Sequence, residues 1–73
     1  MNGYGVVLFN TTSSAMKAEK VLEKAGLEIK LIPTPRQFSS DCGISLRFRW
    51  DHFYEAKLLL FSARVEIDSI HQL

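Results

Sequence analysis

Cys42 is the chain's only cysteine, and it lies in a polar segment, Pro33-Thr34-Pro35-Arg36-Gln37-Phe38-Ser39-Ser40-Asp41-Cys42-Gly43. A thiolate is the most nucleophilic group this composition offers. Gly43 carries no Cβ, so it can take φ > 0 and leave the backbone beside the sulfur open to a reacting partner. Arg36 would favour a negative sulfur and Asp41 would oppose it. Ser39, Ser40 and Asp41 make the flank polar, as expected of a loop near the surface. Each has a plainer reading too. Cys42 could fill space in a core, Arg36 could brace the loop, Asp41 could close a turn on its own backbone, and the two serines could structure the loop.

Eleven residues are too many for a tight hairpin, and loops of that length often carry function. Thr34-Pro35-Arg36-Gln37 fits a capping box: Thr34 as N-cap, Pro35 at the first helical position and Gln37 reaching back. The spacing predicts one short helical turn, with Phe38 free to pack it against the domain.

The elements that position this loop follow from periodicity. Tyr4–Phe9 is a β-branched and aromatic run that reads as a buried strand. Asn10-Thr11-Thr12-Ser13 offers several N-caps, with Thr11 and Thr12 also candidates for a secondary role near the sulfur. Ala15, Ala18, Val21, Leu22 and Ala25 then recur at helical spacing, and Gly26 follows as a stop signal. A helix is expected over 13–25. Leu27–Ile32 and Ile44–Arg49 alternate as strands, the latter with Ile44, Leu46 and Phe48 opposite Ser45, Arg47 and Arg49. Asp51 can cap a second helix with Phe53, Ala56, Leu59, Leu60 and Ala63 as its apolar stripe. Val65–Ile70 alternates weakly, as a short last strand would.

The order β-α-β-β-α-β predicts an α+β fold of the ferredoxin-like split βαβ kind. Two helices would cover one face of a four-stranded antiparallel sheet, leaving the Arg47/Arg49 face for solvent or a partner. In such a unit the first and second strands run parallel, so the N-terminus of the first helix and the Cys42 loop come from one end of the sheet. Free N–H groups there favour negative charge.

Here the residues resemble a known family. Phe9-Asn10-Thr11-Thr12, Ala15…Ala18-Glu19, Gly26, Leu31-Ile32-Pro33-Thr34-Pro35-Arg36, Ser39-Ser40-Asp41-Cys42-Gly43-Ile44 and Leu46-Arg47-Phe48 are similar to the Se/S carrier protein-like family of small prokaryotic proteins. The likeness runs from about residue 4 to 49; the second helix and tail rest on periodicity. It implies a sulfur or selenium carrier, with the atom held covalently on Cys42 as a persulfide or its selenium equivalent, and no other cofactor. Partners would be donor and acceptor proteins. One cysteine suffices for carriage but not for an internal dithiol cycle, so a thioredoxin-like activity is not expected, and a carrier or accessory protein is favoured over a turnover enzyme. The alternative is a regulatory or protein-interaction module in which Cys42 is structural.

Composition bounds the rest. Seventy-three residues make one domain, 47% apolar, with a thin stability margin that a second copy could widen by forming a homodimer. Nine basic and eight acidic residues give a net charge of +1, which argues against nucleic-acid binding by phosphate neutralisation and against recruitment to anionic membranes. Arg47, Phe48, Arg49 and Trp50 mix basic and aromatic types as RNA-binding sheets do. Phe48, however, falls on the opposite face from the arginines. His52 and His71 lack ligand spacing to Cys42, so no metal site is expected. The apolar runs are too short for a membrane span, no signal peptide is seen at Met1-Asn2-Gly3-Tyr4, and a lone thiol suits the reducing cytoplasm.

Overall fold

The computed structural model describes residues 3–38 and 42–73. Within them the chain forms β1 (Tyr4–Leu8), α1 (Thr12–Lys24), β2 (Ile29–Pro33), β3 (Ile44–Arg49), a 3₁₀ turn (Trp50–His52), α2 (Phe53–Ser62) and β4 (Ser69–Gln72). It is an α+β domain with a four-stranded antiparallel sheet in the order β2-β3-β1-β4. β3 pairs antiparallel with both β1 and β2. The first two strands therefore run the same way with β3 between them, and their C-terminal ends share one end of the sheet.

Each strand has two faces of different character. Gly5, Val7, Leu46, Phe48, Ile29, Leu31 and Ile70 share one face by register. There Val7, Phe9, Leu46 and Phe48 pack with Ala15, Ala18 and Leu22 of α1 and Ala56 and Leu60 of α2 into one core. Small alanines at the helix contacts let both helices sit close to the sheet. Gly5 is compelled at its site: a Cβ there would stand 2.5 Å from Trp50 Cε3 and 2.6 Å from Phe48 Cζ.

The second face departs from expectation. It carries Val6, Leu8, Ser45, Arg47, Ser69 and His71, and Val6, Leu8 and Ser45 are fully buried rather than solvated. The reason lies in the connection after β2. Phe38 stacks on His71 of β4, ring centroids 4.4 Å apart. Because β2 and β4 are opposite edges of the sheet, the chain crosses over β3 and β1 to make that contact. Phe38 thus packs the loop onto the domain, as its place in the sequence suggested. Arg47 is also occupied, its guanidinium 4.3 Å from the centre of the Tyr4 ring.

The helix ends are built alike. Gly26 N–H bonds Glu23 O at 3.0 Å and Leu27 N–H bonds Leu22 O at 3.1 Å. Arg64 N–H bonds Phe61 O at 3.0 Å and Val65 N–H bonds Leu60 O at 2.9 Å. Both are Schellman closures, with Gly26 at φ +86 and Arg64 at φ +59 in the left-handed position. The second helix is not capped by Asp51. That residue falls in the 3₁₀ turn, 3.9 Å from Arg49 Nη2, and α2 starts at Phe53 with no side-chain cap bond. The last strand is displaced from 65–70 to Ser69–Gln72, because Val65 completes the α2 closure.

Candidate functional site

Two elements bring Cys42 to its place. α1 opens with Thr11 as N-cap, its Oγ1 accepting from Ser14 N–H at 3.1 Å. Thr12 is the first helical residue. The N–H groups of Thr12 and Ser13 precede the first intrahelical bond, Ala15 N–H to Thr11 O, and no acidic side chain lies in the first turn. Cys42 stands just before β3, in register with its core-facing residues, and is 3% exposed within the main core. Its Sγ lies 3.7 Å from Thr12 Oγ1. The shared end of β1 and β2 therefore does deliver the sulfur to the first turn of α1. A hydroxyl that can donate and a helix start that favours negative charge face one thiol.

Thr34 holds the loop closed behind the sulfur. Its N–H bonds Gly43 O at 3.0 Å and its hydroxyl donates to Cys42 O, also at 3.0 Å. With its one proton committed there, Thr34 Oγ1 accepts from the buried Ser45 hydroxyl 2.8 Å away. The expected capping box does not form. Thr34 turns its hydroxyl to the cysteine strand instead, while Phe38 N–H to Pro35 O at 3.0 Å closes a single turn.

The other candidate residues separate. Gly43 adjoins the sulfur, is exposed, and has no atom within 4 Å of an added Cβ, but its φ is not left-handed. Its contribution is bare surface, not a special backbone angle. An apolar cleft of about 280 Å³ lies beside it, lined by Leu31, Ile32, Pro33, Gly43 and Ile44. Arg36 is exposed in the turn and makes no ion pair or hydrogen bond among the described residues. Ser39, Ser40 and Asp41 lie outside the described residues. Thr34 and Ser45 were not picked out as site residues by spacing. A signal for the covered face did exist in Val6 and Leu8, apolar positions on the side expected to meet solvent.

The family described as Putative Se/S carrier protein-like has a model that matches residues 4–72. The chain belongs to that family. Membership spans nearly the whole domain, extending past Trp50 through α2 and β4. No curated protein and no solved structure matches the chain. Among the described residues no cluster of three or more His, Cys, Asp or Glu could hold a metal, and no helix is long and apolar enough to cross a membrane.

Proposed function

We propose that this protein is a carrier that holds a sulfur or selenium atom on Cys42 and passes it between proteins. The observation that carries the reading is the thiol of Cys42 set 3.7 Å from Thr12 Oγ1 at the start of α1, in a chain of a Se/S carrier protein-like family. We read the architecture as the ferredoxin-like split βαβ, which sets both parts of the site at one end of the sheet.

The transfer is an exchange at sulfur. The Cys42 thiolate attacks the terminal sulfur of a donor persulfide. A new S–S bond forms, the donor's S–S bond breaks, and the electron pair leaves on the donor thiolate. Cys42 then bears –S–SH. When Cys42 is a thiolate, before attack and after release, the Thr12 hydroxyl donates to its Sγ, 3.7 Å away, and the N-terminal turn of α1 stabilises the charge. In the second step an acceptor nucleophile takes the terminal sulfur and the Cys42 thiolate leaves. No net oxidation occurs, and a selenium atom follows the same course. The thiol is buried, so attack requires the site to open, and the bare surface of Gly43 with its cleft is where a partner approaches. A reducing cytoplasm keeps such a thiol in play.

The test is intact-mass analysis after incubation with a cysteine desulfurase and cysteine, or with the same enzyme and selenocysteine, which leaves the selenium on the desulfurase's own cysteine at the persulfide level. The expected result is a mass gain of one sulfur or selenium atom, lost on adding thiol and absent in Cys42→Ala. No adduct on the folded protein, or an adduct that persists in Cys42→Ala, would overturn the carrier role.

A further inference from the structure

α2 presents a second apolar face that the fold does not use. Ala56 and Leu60 point into the core, while Tyr54, Leu58 and Phe61 are 82%, 65% and 79% exposed. Their spacing of four and three residues aligns them in one stripe along the helix. The stripe forms one wall of a groove of about 520 Å³ that Lys57, Leu60, Val65 and Ile67 also line.

We propose that this face is where two copies of the chain pair, α2 against α2. Ridge and groove lie on the same patch, so each copy can seat its Phe61 and Tyr54 in the other's groove, the self-complementarity that a two-fold interface requires. The area suffices. An aromatic side chain buries about 150–250 Å², so Tyr54 and Phe61 of two copies together remove roughly 600–1,000 Å², and with Leu58 added the interface reaches the roughly 1,000 Å² of a specific one. The rim fixes the orientation. Lys57 and Glu55 flank the stripe on opposite sides, at about 100° per residue. A two-fold axis parallel to α2 sets Lys57 of each copy beside Glu55 of the other, whereas antiparallel pairing sets lysine against lysine. The sheet's second face, the other candidate for pairing, is covered by the Phe38 loop.

Sedimentation equilibrium of the full chain under reducing conditions, from low micromolar to near-millimolar concentration, tests this. The expected result is a reversible monomer–dimer equilibrium. Leu58→Asp, with an unchanged far-ultraviolet circular dichroism spectrum, should weaken it at least about tenfold. Should Leu58→Asp not fold, Lys57→Glu replaces it as the probe; it should weaken the dimer several-fold, and Lys57→Glu with Glu55→Lys should restore it. A monomer at every concentration, a dimer indifferent to Leu58→Asp, or a charge swap that fails to restore pairing would overturn the proposal.

Discussion

Phe38 and His71 stack at 4.4 Å with their planes 22° apart, joining a loop that leaves one edge of the sheet to a strand at the other edge. Ser69 Oγ, 2.9 Å from His71 Nε2, steadies the ring. Val6 and Leu8, on the same face of the sheet as His71, are buried. Phe38→Ala should therefore do two things. It should cost about 1–3 kcal/mol, less than the roughly 3–5 kcal/mol of a fully buried Phe→Ala change, because Phe38 is only half-buried. It should also speed reaction of Cys42 with a thiol reagent. Denaturant titration and alkylation kinetics check both; equal alkylation rates would mean that the stack does not govern access to the sulfur.

Thr34 acts nearer the thiol. Thr34→Val keeps the shape and removes one hydroxyl, leaving Cys42 O without that donor and the buried Ser45 hydroxyl without that acceptor. An unmet buried polar group costs about 1–3 kcal/mol. The expected outcome is a loss of that size in urea unfolding. Replacing Ser45 by alanine in the Thr34→Val background should then cost less than replacing it in the wild type, since the two hydroxyls share one bond. Additive losses would dissolve the pairing.

Much of this was legible in the sequence. Alternation in 44–49 located β3, and alanine spacing with a terminal glycine located α1 to within a residue at each end. That β1 and β2 deliver the helix start and the cysteine to one end followed from element order alone. What was not legible depended on long-range partners. Thr34-Pro35-Arg36-Gln37 carries a valid local capping signal, but Ser45 and the Cys42 carbonyl, 11 and 8 residues away, compete for the Thr34 hydroxyl and win. Periodicity likewise placed Arg47 on a free face, while the stack of Phe38 on His71, 33 positions apart in the chain, covers much of it. The outer stripe of α2 was not legible because Phe53, Ala56, Leu59, Leu60 and Ala63 already account for the helix as an amphipathic element, and Tyr54, Leu58 and Phe61 lie off that face.

Thr12 offers a test of the site's chemistry apart from its stability. Its Oγ1 lies 3.7 Å from Cys42 Sγ, yet the residue is exposed and the N-cap bond belongs to Thr11. Thr12→Val should change stability by no more than about 0.5 kcal/mol. It should slow alkylation of Cys42 near neutral pH about three- to tenfold, as expected for losing one hydrogen bond to an anionic sulfur. Thr12→Ser keeps the hydroxyl and should react at close to the wild-type rate. If Val and Ser variants react alike, the hydroxyl does not assist the thiolate.

The two helix closures make the last prediction quantitative. Gly26 and Arg64 hold equivalent left-handed positions, at φ +86 and +59, and make matching pairs of bonds. Glycine enters that region without steric cost, whereas a residue with a Cβ is strained there by roughly 1–2 kcal/mol. Glycine also loses more backbone entropy on folding, which offsets part of the gain. Arg64→Gly should therefore stabilise the domain by about 0.5–1 kcal/mol. Gly26→Ala should destabilise it by about 1 kcal/mol, although nothing lies within 4 Å of the added Cβ, because strain and not crowding is at issue. Thermal and urea unfolding of the two variants should move in opposite directions. The same direction for both would mean that Arg64 earns its place by a side-chain contact that outweighs the strain at its backbone.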